Sequence, residues 1–537
     1  MAESFNKFRI YIMKFLVHKN DFNIDYLNAD INPHKIDSST SVNHLKIHFY
    51  TLLSEIGELI QLSEKDSKKE WQDLCQKDDT VFASFHEEPL YGIGCRFLKH
   101  SLGSLMLVGG YLGGWEFRDS SCNLVTSQKQ AEQLKTGLGD ACPNLDVLVP
   151  ALKTNIFRLP SLSERKLSRE NLKIHDDTFH ILYTGRIIAN KGLAQLVRAL
   201  NLWPVKNARF SIVGSYEPDF LIYHSNAYHT TFPEFFKREV VYRSPLMDIN
   251  LHSAKPHFEL RDIFWSSDCF VYPSFHEDEN FGMAPREAML SGVPAVVSDF
   301  CGLGQLAQSK SKIVKTYPTL GGVRYSLFEL RQKISEIKGW SEDDKKTKQD
   351  LNYRFVLQES DSTNALTSLR NATKRLLEKQ PGASPKGGWR SKNRVDRWAA
   401  VGPDSFKNAV NLKKTQPPAG LFVDGTGFPD NTNWFSDIHF QKAIQAFYTT
   451  LPKAPEAKSG KCYRGFWRVT LWPEEKAVAE FGYPGPRIKR LNKSQWNLLI
   501  KSSKVGELGE VIFIPDNNAI GLIQELLELG YLVPDSL

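Results

Sequence analysis

Two clusters of charged residues and glycines in the middle of the sequence have the composition of a diphosphate-binding site. The first covers residues 185–192 and contains Gly185, Arg186, Lys191 and Gly192. It lies between a strand-like apolar run and a stretch with helical periodicity. There, backbone N–H groups at the helix start, a bidentate arginine and a lysine can bind phosphate oxygens, while glycines let the backbone approach a ligand. By itself, the pattern is also typical of an ordinary turn with a solvated arginine and lysine.

The second cluster covers residues 273–289, again between a strand-like run and a helical stretch. Glu279 lies in an acidic loop, and Glu287 lies near the helix start, where Pro285 suits the first turn. The helix dipole favours a carboxylate at Glu287, which can accept two hydrogen bonds from a ribose diol. Glu279 can face a sugar hydroxyl. A capped helix preceded by an acidic loop is an equally good interpretation of this stretch alone.

Three consecutive acidic residues in this loop raise the question of a metal site. They are Glu277, Asp278 and Glu279. Because they are neighbours in one loop, we do not expect them to form the oxygen cage that a divalent cation needs. We therefore predict no metal ion at this position.

Both clusters need a rigid scaffold, and the surrounding pattern predicts one. Strand-like runs lie at residues 8–17, 80–85, 104–108, 122–126 and 146–149, and again at 179–184, 209–213, 239–242, 269–272 and 295–298. Helical stretches lie at 45–62, 129–134, 193–200 and 364–378. This alternation is typical of parallel sheets with crossover helices, so we predict an α/β fold with two such sheets and a binding cleft between them.

The last part of the chain has a different composition. A linker rich in Pro, Gly and Ser covers residues 380–388, and a basic stretch continues to residue 418. Strand candidates at 466–471 and 511–514, with a helix at 519–529, predict a further α+β unit. Four of its residues are compatible with an aromatic binding face or with a core: Trp434, Trp467, Trp472 and Trp496.

Composition limits the partners and the compartment. The net charge of +7 favours anionic partners, and the absence of a nucleic-acid motif argues against DNA or RNA. The seven cysteines form no CxxC pair, so we predict neither a zinc site nor a disulfide framework, and we expect a cytoplasmic protein. No apolar run reaches the roughly 18 residues of a membrane span. The basic linker, with Trp389 and Trp398, is compatible with peripheral contact at the inner membrane face or with a solvated segment.

Taken together, the two clusters resemble the donor-site motifs of retaining GT-B glycosyltransferases of family 4 (glycosyl transferases group 1). In that family, a strand ending in Gly-Arg and then Lys-Gly is followed further along the chain by Pro-Ser and Glu-x7-Glu. Glu279 and Glu287 have this spacing, and Val213-Gly214 and residues 291–298 also match. The resemblance implies two Rossmann-like domains that face a cleft, and retaining transfer by front-face attack without a metal or other cofactor.

The resemblance also implies roles for single residues. Arg186 and Lys191 would bind the diphosphate next to Gly185, Glu287 would hold the ribose, and Glu279 would contact the donor sugar. The loop amides around three residues would contact the sugar or phosphate: Asn280, Phe281 and Gly282. We take four residues as the catalytic candidates: Glu279, Arg186, Lys191 and His86.

The chain departs from the family pattern at three places. The first strand is not followed by a glycine-rich loop. Where the family often has a histidine, the chain has residues 109–111 (Gly-Gly-Tyr), so His86, after the preceding strand, is the histidine that could face the cleft or lie on the surface. Residues 301–305 (Cys-Gly-Leu-Gly-Gln) replace the family's Gly-Gly and acid. These departures concern the identity of donor and acceptor rather than the fold.

These inferences predict four parts and one leading function. The parts are an acceptor-side domain at 1–170, a nucleotide-sugar domain with its closing helix at 171–380, a basic linker at 381–419 and an accessory domain at 420–537. We expect transfer of a sugar from a nucleotide-diphosphate donor to a glycan, a lipid-linked sugar or a protein. The alternatives are a GT-B relative that acts as a binding or scaffold module, and a sugar-nucleotide epimerase of the same architecture.

Overall fold

A computed structural model provides the structure of the protein. It describes residues 13–18, 41–62, 73–74, 77, 79–85, 101–104, 121–138, 144–188, 191–215, 222–224, 229–231, 248–275, 279–319, 322–378, 452–466, 470–472, 476–480, 487–502, 512–513 and 517–535.

A six-stranded parallel sheet forms the first part of the fold. Its strands are β1 (Met13–His18), β2 (Gly57–Leu62), β3 (Thr80–Ser84), β4 (Ser101–Ser104), β5 (Ser121–Val125) and β6 (Leu145–Val147), in the spatial order β2-β1-β3-β4-β5-β6. Helices α1 (Ser41–Ile56) and α2 (Gln128–Leu138) belong to the same part. The predicted parallel α/β architecture is therefore confirmed here.

The predicted helix at residues 45–62 is wrong in its last six residues, which form strand β2. Gly57 explains the switch, because a Cβ there would lie 2.4 Å from the Met13 carbonyl oxygen. The glycine lets the chain leave α1 and pair with β1 at close range, with Met13 opposite Gly57. The apolar residues of this short strand happen to continue the helical spacing of α1. The spacing of apolar residues alone therefore could not distinguish the strand from the helix.

A second six-stranded parallel sheet carries the two motif clusters. The strands of this part of the chain are β7 (Phe179–Thr184), β8 (Ala208–Val213), β9 (Ile222–His224), β10 (His229–Thr231), β11 (Asp248–His252), β12 (Cys269–Tyr272), β13 (Ala295–Ser298), β14 (Lys312–Val314), β15 (Thr316–Thr319) and β16 (Gly322–Tyr325). The sheet order is β11-β8-β7-β12-β13-β14, whereas β9 with β10 and β15 with β16 form antiparallel pairs. The predicted strand at 239–242 lies outside the described residues.

Six helices and a 3₁₀ helix accompany the second sheet. They are α3 (Leu162–Asn171), α4 (Leu193–Leu202), α5 (His257–Ser266), α6 (Met283–Leu290), the 3₁₀ helix Cys301–Gln308, α7 (Leu327–Lys338) and α8 (Glu342–Glu359). Strands β12 and β13 are buried along their whole length. Their apolar sequences are typical of strands covered on both faces.

Helix α9 (Ser362–Glu378) confirms the predicted helix at 364–378. Its Arg375 forms an ion pair with Asp146 of the first sheet, on β6. In terms of backbone contacts, the chain forms two compact units, Met1–Ala151 with Ser360–Lys392, and Leu152–Glu359 with Asn393–Leu537. The cleft between the sheets and the four-part division of the chain stay predictions.

The C-terminal residues form small antiparallel sheets with two helices. The elements are β17 (Tyr463–Gly465), β18 (Thr470–Trp472), β19 (Ala477–Glu480), β20 (Arg487–Arg490), α10 (Lys493–Ser502), β21 (Ile512–Phe513), α11 (Ile520–Glu528) and β22 (Leu532–Pro534). The sheets have the orders β21-β17-β22 and β18-β19-β20. Trp496 lies in an apolar core with Leu499 and Leu526, which favours the core interpretation for this tryptophan.

Asp268, directly before β12, is the centre of a buried charge cluster. Its carboxylate contacts Arg165 at 2.6 Å, Arg169 at 3.1 Å and Lys345 at 3.2 Å. The backbone N–H of His180 on β7 donates to it at 2.8 Å. Burial by itself would raise the pKa of Asp268, but the surrounding cations outweigh this effect and hold the pKa below its ordinary value. The cluster ties α3 and α8 to the start of β12.

No helix among the described residues has the length and apolar character needed to cross a bilayer.

Replacing Asp268 with Ala should destabilise the fold by about 3–5 kcal/mol, because it leaves buried cations without their counter-charge. Urea unfolding at pH 7 measures the change. The matched control is Asp262→Ala, because Asp262 is 46% exposed in its ion pair with Arg261, and we expect a loss of no more than about 1 kcal/mol there. Equal losses for the two variants would contradict the assignment.

Candidate active site

The two motif clusters meet where the strand order of the second sheet reverses. Strands β7 and β12 are neighbours, and the chain continues to β8 on one side and to β13 on the other. Residues 185–192 follow β7, and residues 273–282 follow β12, both at carboxyl ends of parallel strands. Crevices at this topological position are where open α/β sheets bind ligands.

Glycines bring the two turns into backbone contact. Gly192 has φ +74°, and a Cβ there would lie 2.1 Å from the carbonyl oxygen of Pro273. A Cβ on Gly214, after β8, would lie 1.8 Å from the carbonyl oxygen of Gly185. Larger residues would therefore push the turns apart. The close packing fixes the spacing between the side chains that the turns carry.

Lys191 and Glu279 form a buried ion pair that joins the two turns. The Lys191 Nζ contacts Glu279 Oε2, and the two side chains are 7% and 9% exposed. The hydroxyl of Tyr272, on β12, donates to the same carboxylate oxygen at 2.9 Å. Burial, together with the charge of Glu279, raises the pKa of Tyr272 well above its ordinary value, so the hydroxyl stays a donor. The structure thus brings together two predicted site residues that are 88 positions apart in the sequence.

Tyrosine rings form the floor beneath this ion pair. Tyr183, on β7, stacks on Tyr272 with ring centroids 5.6 Å apart, and the Lys191 Nζ lies 5.7 Å from the Tyr272 ring. The Tyr183 hydroxyl donates to the carbonyl oxygen of Arg186 at 2.9 Å. The tyrosine therefore fixes the backbone from which the Arg186 side chain projects. That side chain is exposed to solvent.

The loop from Glu279 to Gly282 rests on the 3₁₀ helix at Cys301–Gln308. The N–H of Gly302 donates to the Glu279 carbonyl oxygen at 2.9 Å, and a Cβ on Gly302 would lie 1.6 Å from the carbonyl oxygen of Asn280. Gly282 has φ +78° and packs on Leu303. The residues that depart from the family pattern at 301–305 therefore shape the loop that carries Glu279.

Arg286 holds this loop from below, and the sequence did not single it out. Its guanidinium forms a bidentate pair with Glu359 at 2.6 and 2.7 Å, donates to the carbonyl oxygen of Phe281, and lies 3.7 Å from the centre of the Phe281 ring. The residue is fully buried. The helix dipole disfavours a cation near a helix start. An arginine at this position of α6 could therefore have indicated that an acidic partner lies nearby.

Glu287 is the fifth residue of α6 and is partly buried. Burial raises its pKa to about 7, and the positive charge of Lys153 offsets part of that effect. The Lys153 Nζ lies 3.2 Å from Nδ1 of His257. Sequence reasoning missed Lys153, which lies far upstream in a stretch without a recognisable motif. A carboxyl group with this pKa changes its charge near neutral pH.

The structure places most, but not all, of the predicted site residues. Asn280, Phe281 and Gly282 are buried in the loop beside Glu279. His86, with Glu277 and Asp278, lies outside the described residues, so its predicted role stays a prediction. Within the described residues, no group of His, Cys, Asp or Glu has the arrangement of a metal site.

Comparison with known proteins identifies the region that carries the site. Residues 164–316 match the family model for glycosyl transferases group 1. The match includes both turns and the sheet between them. The chain therefore carries a domain of the glycosyl transferases group 1 type, as the two motif clusters predicted.

Curated relatives are similar over the same part of the chain. A D-inositol 3-phosphate glycosyltransferase of Paenarthrobacter aurescens is 30% identical over 194 residues, which cover 35% of this chain and 43% of the relative. An uncharacterized glycosyltransferase of Methanocaldococcus jannaschii is 26% identical over 212 residues, covering 39% of this chain and 49% of the relative. The chain thus spans less than half of each relative's length.

Solved structures are similar at lower identity. A sucrose-phosphate synthase from Thermosynechococcus elongatus has 13% identity and a TM-score of 0.49 over 68% of this chain and 99% of that chain. The Anabaena protein Alr3699/HepE in complex with UDP and glucose has 13% identity and a TM-score of 0.47 over 67% of this chain and 99% of that chain.

The raised pKa of Glu287 predicts a pH-dependent stability. The folded-state pKa of about 7 lies above the ordinary value of 4.5. The contribution of the neutral carboxyl is therefore fully present below pH 4.5 and is lost as the pH rises through 7. In Glu287→Gln, the fall in unfolding free energy between pH 5 and pH 8 should be smaller than in the wild type.

Urea unfolding at the two pH values tests this prediction. Glu259→Gln is the matched control, because Glu259 is an exposed carboxylate in the same unit, 58% accessible in its ion pair with Lys255. An unchanged pH dependence in Glu287→Gln would show that Glu287 does not titrate in this range.

Proposed function

We propose that the protein is an enzyme, a retaining GT-B glycosyltransferase of family 4, which transfers a sugar from a nucleoside-diphosphate donor. The observation that carries this proposal is the buried pair of Lys191 and Glu279. It lies at the topological switch point of a parallel sheet, inside the segment that matches the glycosyl transferases group 1 model. The acceptor we propose is a hydroxyl group of a glycan, a lipid-linked sugar or a protein.

Two cations would serve the diphosphate in different ways. Arg186 is exposed and can bind phosphate oxygens bidentately on arrival. Lys191 is already neutralised by Glu279, so the diphosphate would have to share its Nζ with the carboxylate. The N–H groups at the start of α4, directly after Gly192, add a partial positive charge on the same side of the turn.

Glu279 would then be the group that senses the donor sugar. Once phosphate oxygens draw on the charge of Lys191, the carboxylate of Glu279 becomes a stronger acceptor for a sugar hydroxyl. Tyr272 continues to donate to one carboxylate oxygen and leaves the other for the sugar. The buried loop at Asn280–Gly282 would close the sugar pocket, because its backbone is held by Gly302 and Arg286.

Glu287 would hold the ribose of the nucleotide. A carboxylate accepts both hydrogen bonds of a vicinal diol, whereas the neutral acid accepts them less well. Because the pKa of Glu287 is about 7, ribose binding would favour loss of its proton. Lys153 would stabilise the resulting negative charge.

The reaction we propose follows from this placement. The bond between the anomeric carbon and the diphosphate breaks, and the leaving diphosphate takes the proton of the acceptor hydroxyl on the same face as the acceptor's attack. The configuration at the anomeric carbon is therefore retained. The protein contributes by positioning the donor and by stabilising the charge of the leaving group with Arg186, Lys191 and the start of α4.

Arg186→Ala and Lys191→Met should each lower transfer by on the order of 10²-fold or more, because each removes a charge that stabilises the leaving diphosphate. A screen of radiolabelled nucleotide sugars against glycan, lipid-linked and protein acceptors measures the rate. Arg354→Ala is the matched control, because this exposed arginine on α8 forms an ion pair with Asp350 at the surface.

Loss of stability must be separated from loss of chemistry at Lys191. Removing one partner of a buried ion pair costs about 3–5 kcal/mol, whereas the double variant Lys191→Met/Glu279→Gln leaves no buried charge without its partner. The double variant should regain stability but not transfer.

Near-wild-type transfer in Arg186→Ala and Lys191→Met would overturn the assignment of these residues to the active site. Binding without turnover by the wild type would favour a binding module, and a changed free nucleotide sugar would favour an epimerase.

Transfer should persist in excess EDTA, because protein cations rather than a divalent metal stabilise the leaving group in this proposal. The assay uses the donor and acceptor identified in the screen, with a metal-dependent glycosyltransferase treated in parallel to show that chelation is complete. Complete loss of transfer that is restored by one divalent ion would contradict the metal-independent mechanism.

A further inference from the structure

We propose that Phe466, in the C-terminal part of the chain, is a positioning residue that holds both turns of the candidate active site in register. The importance of Phe466 for catalysis rests on the proposed function. Its positioning role rests on contacts within the second compact unit, Leu152–Glu359 with Asn393–Leu537.

Phe466 directly follows β17 and is fully buried. Its ring packs edge-on against Phe275, with centroids 5.5 Å apart, and against Tyr325, with centroids 5.1 Å apart. Phe275 and Tyr325 also face each other at 6.2 Å. The guanidinium of Arg324 lies 4.9 Å from the Phe466 ring. Phe466 therefore fills the centre of an aromatic cluster rather than a gap at the surface.

This cluster touches both turns. Phe275 belongs to the turn after β12, two residues beyond Pro273. Gly192 is the N-cap of α4, directly after Lys191, and a Cβ there would lie 2.1 Å from the Pro273 carbonyl oxygen and 2.8 Å from the Tyr325 hydroxyl. Phe466, Tyr325, Gly192 and Pro273 thus form one packed layer behind the ion pair of Lys191 and Glu279. In a closely packed interior, a shift of the Phe466 ring would displace its neighbours Phe275 and Tyr325.

Arg198 fixes Phe466 to the helix that starts at the first turn. It lies on α4, is 6% exposed, and donates to the carbonyl oxygens of Phe466 at 2.6 Å and of Gly465 at 2.9 Å. Hydrogen bonds from a charged donor are stronger than neutral ones, and burial strengthens them further. The backbone of the C-terminal strand β17 is therefore held by the same helix whose first turn we assign to phosphate binding.

Three further contacts fix the strands on either side of Phe466. Arg324, on β16, donates to the Gly530 carbonyl oxygen at 2.7 Å. Ser326 donates to the Pro534 carbonyl oxygen at 3.1 Å. Arg464, on β17, forms a bidentate pair with Asp535 at 2.7 and 3.1 Å. The C-terminal sheet β21-β17-β22 is thus built into the unit that carries the site.

Hydrogen exchange on the full chain, followed by mass spectrometry, tests the positioning role without reference to activity. In Phe466→Ala, the amides of residues 279–282 and 192–196 should exchange about tenfold faster or more, because a large cavity behind the two turns favours their local opening. Phe466→Leu, which keeps most of the apolar volume, should restore most of the protection.

Leu526→Ala is the matched control. Leu526 is fully buried, and it belongs to an apolar core of α10, α11 and β22 that includes Tyr463 of β17 but not Phe466. Its loss should speed exchange in α10 and α11 but leave residues 279–282 as in the wild type. Unchanged exchange at 279–282 in Phe466→Ala, or an equal increase in Leu526→Ala, would overturn the proposal. Should Phe466→Ala fail to fold, Phe466→Leu gives the same comparison with a smaller increase, about threefold.

Calorimetric titration with UDP and with GDP tests whether Phe466 affects nucleotide binding at the candidate active site. If the wild type binds either nucleotide, Phe466→Ala should bind it about tenfold more weakly, and Leu526→Ala should bind it as the wild type does. Equal affinities in the wild type and Phe466→Ala would overturn the link to the site. If the wild type binds neither and consumes no nucleotide sugar, the proposed function fails, and the exchange comparison still decides the positioning role.

Discussion

The ion pair between Lys191 and Glu279 is the interaction on which the organisation of the candidate site depends. Each residue lies in a different β-to-α connection, and the buried pair lies beside the stacked rings of Tyr183 and Tyr272. A buried pair is stable only if both partners are held at the correct distance, because the loss of either leaves an uncompensated charge. The glycines at 192, 214 and 302, and the Arg286–Glu359 pair, are the means by which the fold holds that distance.

This pair also gives the candidate site a defined electrostatic state. Glu279 compensates the charge of Lys191, so the net charge where these two side chains meet is small, whereas Arg186 is exposed to solvent. An anion that enters would meet Arg186 first and would compete for Lys191 afterwards. Selectivity for a diphosphate linked to a sugar would then arise because one partner of the pair addresses the phosphate and the other addresses the sugar.

The sequence predicted those features that repeat along the chain or lie in a local motif. Both parallel sheets followed from the alternation of apolar runs and helical stretches. The places of Lys191 and Glu279 after strand ends followed in the same way, whereas the direct contact between them is seen only in the structure. The strand Gly57–Leu62 was mistaken for a helix, because six residues with mixed spacing fit both periods. Arg286, Lys153 and Phe466 were missed, because no local pattern encodes a distant tertiary neighbour. Arg286 depends on Glu359, 73 residues away, and Lys153 on Glu287, 134 residues away. The neighbours of Phe466 lie between 141 and 268 residues away.

The discontinuity of the second compact unit has a consequence for biosynthesis. Its chain leaves at Glu359 and returns after the helix Ser362–Glu378, which belongs to the other unit. On the ribosome, the face formed by Phe275 and Tyr325 is therefore synthesised long before β17 and β22 are available to cover it. Until then, Arg198 lacks the two carbonyl groups of residues 465 and 466. The unit can reach its final packing only after β22 has been synthesised.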